Sequence, residues 1–262
     1  MTTAPETPRI PVLEMHGISK RFGAVQALSE VDFHACAGEV VGLVGDNGAG
    51  KSTLIKCIAG IYPIDSGEIR FEGHSVTLRH PRDAVQLGIQ TVYQDLALCD
   101  NLDVVANLFL GREQLNRYIS KVAEPLDEVA MEKRAIEVLR GLSVSIPSVR
   151  TLIASLSGGQ RQSVAIARAV MWNSKLVMLD EPTAALGVAQ TRQVLELIKR
   201  LRQQGLAVIV ISHNLADVFE VVDRITVLRL GRLAGNFDVQ ATTREQIVAA
   251  ITGAEFGTLM AA

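Results

Sequence analysis

The sequence has little charge of one sign to spare. Its 26 Lys and Arg against 28 Asp and Glu leave a formal net charge of -2, which argues against bulk affinity for nucleic acid or anionic lipid. Any contact with a membrane is therefore expected through another protein. Long hydrophobic runs are also missing. The longest wholly apolar stretches, such as LAVIVI at Leu206 to Ile211, are strand-length and fall far short of the roughly 20 residues a spanning helix needs. The start, MTTAPETPRIPV, has prolines and an acid but no basic segment followed by an apolar one, so no secretory signal is read there. These absences predict a soluble chain in the cytoplasm. Cysteine is scarce: Cys36, Cys57 and Cys99 are widely separated and show no C-x-x-C spacing. That supports neither a disulfide framework nor a zinc site, and the three are expected to act as small buried hydrophobes. The five histidines are scattered, with no H-E-x-x-H or other ligand spacing. No internal repeat or low-complexity tract is visible.

What is present points to one large α/β unit, for which 262 residues suffice with a smaller subdomain inserted. VVGLVG (Val40 to Gly45), LVMLD (Leu176 to Asp180) and LAVIVI are near-continuous apolar runs ended by polar or glycine signals, the pattern of parallel strands buried on both faces. Helical periodicity lies between them. Val188, Thr191, Val194, Leu195, Ile198 and Leu201 recur at three- and four-residue steps, with charged and polar residues on the other faces. Alternating strand and helix predicts an α/β core. The stretch from about Asp95 to Leu156 differs, with a helical segment LDEVAMEKRAIEVLRGL and no comparable β run. It is expected to be an inserted, mainly helical subdomain. Residues 1–11 are predicted to be a flexible arm, residues 12–262 a single domain, and TTREQIVAAITG a terminal helix.

GDNGAGKST fits G-x-x-x-x-G-K-[ST] and sits between an apolar strand and the helical KSTLIKCIAG, the context that a phosphate-binding loop requires. Gly45, Asp46, Asn47, Gly48, Ala49, Gly50, Lys51, Ser52 and Thr53 are accordingly the predicted nucleotide-binding run. Gly48 and Gly50 permit positive φ and bare backbone, so that successive N–H groups can wrap phosphate oxygens. Lys51 would reach the β- and γ-phosphates, and the Ser52 hydroxyl would ligate Mg²⁺. KLVMLDEPTAAL places Asp180 and Glu181 at the carboxyl end of another strand, where ligands of open α/β sheets bind. Asp180 matches the acid that holds Mg²⁺ in phosphate-loop ATPases. Glu181 could accept a proton from an attacking water. His213, ending VIVISHN, would emerge on the same edge, close to a γ-phosphate or water.

A second glycine-opened helix start lies at SGGQ. Ser157 as N-cap and Gln160 at N3 make a capping box, but Gly158 and Gly159 each cost the first turn about 1 kcal/mol against alanine. An anion approaching the exposed N–H groups and the positive dipole end would offset that cost. Since the first loop encloses its own nucleotide, the second helix start is expected to serve a nucleotide held by another copy. A twofold dimer would then hold two ATP molecules between its subunits.

From Phe22 to about Arg232 the chain resembles the nucleotide-binding subunits of ATP-binding cassette (ABC) transporters, with LSGGQ at Leu156 to Gln160 matching the family signature. The resemblance implies a phosphate-loop NTPase core with a mainly parallel sheet, an N-terminal antiparallel β part and the inserted helical subdomain. It implies an adenine-stacking aromatic, matched by Phe22, and a Q-loop glutamine, matched by Gln94, which contacts Mg²⁺ or water and relays nucleotide state to a membrane subunit. Glu181 becomes the expected catalytic base and His213 the switch histidine. RHPRDAVQLGIQTVYQDLALCDNLDVVANLFLGRE and EPTAALGV are similar to ATPases of monosaccharide importers of the ribose, xylose and fructose type, most of all the single-cassette fructose type. That implies a homodimer at the cytoplasmic face of the inner membrane, bound to permease subunits, with an extracytoplasmic sugar-binding protein as an indirect partner and no nucleic acid. Two positions depart from the family: Gly187 stands where an aspartate is usual, and Asp95 where a glutamate often follows the glutamine. Rival readings are a non-transport ABC ATPase working on ribosomes or DNA, an exporter subunit, and a regulatory chain that binds ATP without hydrolysing it.

Overall fold

A computed structural model of the chain describes residues 11–116 and 125–254. The predicted arm lies outside them except for Pro11, which opens the first strand. That strand, β1 (Pro11–Phe22), pairs with β2 (Val25–Cys36); β3 (Val40–Val44) then leads into α1 (Lys51–Ile58). Next come β4 (Ser66–Phe71), β5 (His74–Val76), α2 (Pro81–Leu87) and β6 (Ile89–Val92). The following described segments carry helices α3 (Val104–Phe109) and α4 (Glu128–Gly141), then α5 (Gly158–Val170). The remaining elements are β7 (Leu176–Asp180), α6 (Val188–Gln203), β8 (Ala207–Ile211), α7 (Leu215–Val221), β9 (Arg224–Arg229), β10 (Arg232–Asp238) and α8 (Arg244–Thr252).

Two sheets result. One is four-stranded in the order β2-β1-β4-β5, antiparallel throughout. The other is six-stranded in the order β10-β9-β3-β8-β7-β6, parallel except for the antiparallel edge strand β10. The near-continuous apolar runs are explained by what covers them. Val40, Val44, Val177, Leu179, Val208 and Val210 join one core with residues of α3 to α7. Their neighbours Val41, Leu43, Leu176, Met178, Ala207, Ile209 and Ile211 join a second core with α1 and the antiparallel sheet. Because strand side chains alternate in direction, a strand sandwiched between two cores has no polar face. The α6 periodicity is buried from Val194 through Leu201, with Leu197 added. Val188, at the first position of that helix, is instead 82% exposed, so the stripe starts later than its spacing predicted. Cys36 and Cys57 are buried as expected, whereas Cys99 is only half-buried. No helix among the described residues is long and apolar enough to cross a membrane.

At the amino ends of the parallel strands a buried ion pair joins distant segments. Glu39 Oε1 accepts from Arg224 Nε at 2.9 Å and its Oε2 from the Cys36 N–H at 2.8 Å, with the paired side chains only 6% and 15% exposed. Arg224 also donates to the carbonyl of His34, and the neighbouring Asp223 accepts from the Val40 N–H and from Arg202 of α6. Removing one partner of a buried pair strands the other charge, at a cost of about 3–5 kcal/mol. Glu39→Ala should therefore lower the unfolding free energy by that amount in urea denaturation; a loss below about 1 kcal/mol would mean that Arg224 is readily rehydrated.

Candidate functional site

Adjacent parallel strands bring the predicted residues to one edge. Leu43 of β3 and Asp180 of β7 both lie level with Ile211 of β8, and Val92 of β6 is level with Leu179. The segments that leave these carboxyl ends carry Gly45, Asp180 with Glu181, His213, and Gln94. A sheet covered on both faces leaves this edge as the place for a ligand.

The loop after β3 is shaped by close backbone approaches. Gly45 has φ +152°, and a Cβ there would sit 2.2 Å from the Leu228 carbonyl oxygen; at Gly50, φ +102°, it would meet the Ala27 oxygen at 2.8 Å. Only glycine fits at either place. The turn between β9 and β10 braces the loop, since the Gly231 N–H donates to the Ala49 carbonyl at 3.0 Å. Gly50 is the N-cap of α1 and supplies no side-chain cap, so the N–H groups of Lys51, Ser52 and Thr53 open the helix without intrahelical partners. Such a start binds anions. Within the loop, the Asp46 carboxylate accepts from the Asn47 N–H and its carbonyl from the Ala49 N–H. Lys51 curls back over the loop, its Nζ donating to the carbonyls of Gly45 at 2.7 Å and Asp46 at 2.9 Å. Burial lowers its pKa, opposed by the charges of Glu181, Asp46 and Asp180.

The two acids sit in different surroundings. Asp180 is half-buried, and its pKa is raised by desolvation and then by the negative charge of Glu181, with Lys56 and Lys51 pulling the other way. Glu181 adopts a left-handed φ of +50°, a strained conformation for a residue of this kind. Its backbone is pinned there: its N–H donates to the Ile211 carbonyl at 2.9 Å and its carbonyl accepts from the Ala184 N–H. The carboxylate Oε1 accepts from the His213 N–H at 3.1 Å and lies 2.9 Å from His213 Nδ1. The histidine side chain itself is 79% exposed. The structure therefore pairs the predicted base and the predicted switch residue, which spacing alone had placed only on the same edge.

The start of α5 is the expected capping box: the Ser157 N–H donates to Gln160 Oε1 at 3.0 Å, and the Gln160 N–H to Ser157 Oγ at 3.3 Å. The reason for its glycines differs from the one expected. Gly159 is buried, and a Cβ there would lie 2.9 Å from Cβ of Gln190 in α6. Close helix packing accounts for Gly159, so the need for an external anion rests on Gly158 alone. At Gly158, which is exposed, the nearest atom to a Cβ is the movable Leu186 Cδ2 at 3.0 Å. Among the described residues no hydrogen bond joins this helix start to Gly45–Thr53 in the same chain. Gly187, at the N-cap of α6, has an ordinary φ of -73° and nothing within 4 Å of a Cβ, so the fold of this chain would tolerate a side chain there.

Gln94 is exposed just beyond β6, beside a cavity of about 200 Å³ lined in part by Tyr93, Asp95, Arg168 and Trp172. Phe22 ends β1 with 42% of its surface exposed. It packs edge to face against Tyr62, with ring centroids 5.0 Å apart. Tyr62 carries no sequence signal for this contact, because it stands in IYPID, a loop with neither periodicity nor motif.

A glycine-shaped loop at a helix start, with two acids and a histidine on neighbouring strand ends, defines a phosphate-loop nucleotide-binding domain. The chain belongs to the ABC transporter family, whose sequence pattern matches residues 28–184. It is an ABC ATPase that binds and hydrolyses ATP. Among its relatives is the fructose import ATP-binding protein FrcA of Rhizobium meliloti, 47% identical over 94% of this chain and 95% of that protein. The xylose/arabinose import ATP-binding protein XylG of Sulfolobus acidocaldarius is 44% identical over 94% and 96%. The chain spans about half the length of another relative, the ribose import ATP-binding protein RbsA of Caldanaerobacter subterraneus, at 40% identity and 48% of that protein. A crystal structure of an ATP-binding cassette of an ABC transporter in its ADP conformation matches with a TM-score of 0.78 at 28% identity, over 92% of this chain and 95% of that one.

The glycine and acid assignments give two expectations. Gly159→Ala should destabilise the nucleotide-free chain by about 1–3 kcal/mol through overpacking against Gln190, and Gly158→Ala by much less; equal denaturation midpoints for the two would contradict the packing account. Asp180 has a folded pKa raised above its unfolded value, so its contribution favours the folded state at low pH and is lost as pH rises through the raised pKa. Asp180→Asn should thus raise the melting temperature of the nucleotide-free chain at pH 7, with the gain vanishing below the ordinary aspartate pKa of 3.8. A lowered melting temperature at pH 7 would refute it.

Proposed function

We propose that this chain is the ATP-hydrolysing subunit that powers import of a monosaccharide of the fructose, xylose or ribose type through a partner membrane permease. The supporting observation is its match, along about 95% of both partners, to single-cassette fructose and xylose/arabinose import ATP-binding proteins. It works as a homodimer at the cytoplasmic face of the membrane. In that dimer the helix start of one copy, through Ser157, Gly158, Gln160 and at most the backbone N–H of the packed Gly159, faces the nucleotide held by Gly45–Thr53 of the other. A dimeric ATP-binding cassette bound to ADP and phosphate, matched with a TM-score of 0.69 at 25% identity, favours this arrangement. The sugar is chosen by the permease and by an extracytoplasmic binding protein, not by this chain.

The donor set suits Mg²⁺. Among the described residues no group of three or more His, Cys, Asp or Glu could hold a metal, and Mg²⁺ is characteristically held by one or two carboxylates together with substrate phosphates and water. Asp180 and Ser52 would hold it, with Gln94 beside them. Asp180 is the fitting acid, since its carboxylate is desolvated and next to another negative charge. When bound there, the ion would supply positive charge to offset the negative charge that develops on the phosphates.

The side chains then divide the work. Phe22 stacks on the base. Lys51 leaves its two carbonyl partners for the β- and γ-phosphates, and the N–H groups from Gly48 to Thr53 wrap their oxygens. Glu181 Oε1 is already engaged by His213, which leaves Oε2 to take the proton of the attacking water. His213, held against that carboxylate, takes the part of contacting the γ-phosphate. Gln94 passes the state of the site to the permease.

Since general-base catalysis is worth about 10²–10⁴ in rate, Glu181→Gln should lower kcat at least 100-fold, keep ATP binding, and give an ATP-dependent dimer in light scattering. Turnover at the normal rate would remove Glu181 from its role. Affinity purification of the tagged chain from detergent-solubilised cells should recover a multispanning permease; ribosomal or DNA-associated proteins without a membrane partner would leave the ATPase and overturn the transport reading.

A further inference from the structure

The loop that follows α1 is stapled to the strand end that carries Phe22. Asp65 Oδ1 accepts from Lys20 Nζ at 2.8 Å, and its Oδ2 accepts from the Arg21 N–H at 2.7 Å. The Asp65 N–H in turn donates to the Ser19 carbonyl at 3.0 Å. These three bonds run between residues 19–21 and residue 65, immediately beside Phe22 and close to Tyr62. At its other side the loop is tied to α1, because the Tyr62 N–H donates to the Lys56 carbonyl at 3.1 Å. So α1, whose first turn belongs to the phosphate loop, fixes Tyr62 with its last turn.

Within this clamp two aromatic rings meet. Their planes cross at 71° with centroids 5.0 Å apart, the edge-to-face arrangement that aromatic pairs favour. Two lysines complete the cluster, Lys20 Nζ at 5.5 Å from the Phe22 ring and Lys56 Nζ at 5.5 Å from the Tyr62 ring. Lys20 is only 8% exposed, and Asp65 compensates its charge. A phenylalanine at a strand end would otherwise be free to change rotamer, and a stacking ligand would have to immobilise it. Ordering the ring beforehand removes that cost from binding.

We propose that Tyr62 is a positioning residue for the nucleotide base: it holds the Phe22 ring, still 42% exposed, in the orientation that stacks on adenine, and the Asp65 clamp sets their separation. The proposal rests on the reading of Phe22 as the base-stacking residue. Tyr62 acts through Phe22, so its removal affects the part of the affinity that the base contributes and spares the part from the phosphates.

Titration calorimetry of the full chain with Mg·ADP and, separately, with pyrophosphate tests this. Tyr62→Leu should weaken ADP binding about three- to tenfold and leave pyrophosphate binding unchanged, while Tyr62→Phe, which keeps the ring, binds ADP like the original chain. Tyr62→Met takes the place of the leucine variant if that one does not fold. Phe22→Ala, measured alongside, should show the same selective loss of ADP. Equal weakening of ADP and pyrophosphate by Tyr62→Leu would make Tyr62 a structural residue and overturn the proposal. Unchanged ADP binding in Tyr62→Leu, with a loss in Phe22→Ala, would overturn it too and leave the base-stacking reading of Phe22 intact. Unchanged ADP binding in both variants would remove Phe22 from the base site and the proposal with it.

Discussion

The six-stranded sheet is buried on both faces, by helices α3 to α7 on one side and by α1 with the antiparallel sheet on the other. Its strands can therefore meet a ligand only where they end. Parallel pairing then has a further effect, since the carboxyl ends of β3, β8, β7 and β6 all fall on one edge. Four segments far apart in the chain deliver a glycine loop, a histidine, two acids and a glutamine to neighbouring positions. No local interaction could achieve that. The arrangement follows from hydrophobic burial and strand direction, before any ligand is considered.

The two ends of this sheet are built on opposite electrostatic terms. At the amino ends Glu39 and Arg224 form a nearly buried pair whose atoms also engage the Cys36 N–H and the His34 carbonyl. Its charges are satisfied within the chain, so it serves the fold. At the carboxyl ends Asp180 and Lys51 are both shifted by burial toward their neutral forms. Lys51 makes do with two carbonyls. A site desolvated in this way gains most from a ligand that brings opposite charges to both groups, as the proposed Mg·ATP would.

Part of the backbone strain of the chain lies at the same edge. Gly45 and Gly50 hold conformations closed to other residues, and Glu181 is held left-handed without being glycine. Each departs from what local propensity favours, and each is held by contacts from elsewhere: the Leu228 carbonyl, Ala27 and the Ile211 carbonyl. The rigid sheet supplies the opposing constraint. The start of α5 is a different case, because there one glycine of a motif is consumed by helix packing and only its neighbour faces outward.

Much of this was readable in the order of residues. The apolar runs that became β3, β7 and β8, the periodicity of α6, the phosphate loop and the capping box at Ser157 are local patterns. Their physics lies within a few residues of chain, so the sequence alone determined them, and with them the class of nucleotide chemistry. What only the tertiary structure decided involves atoms from distant segments. Glu39 with Arg224 is one instance, His213 against Glu181 is another, and the contacts of Gly159 with Gln190 and of Tyr62 with Phe22 are two more. In each of them neither residue's identity implies its partner, because the approach is set by how whole strands and helices pack, and packing is a property of the assembled cores rather than of any one stretch.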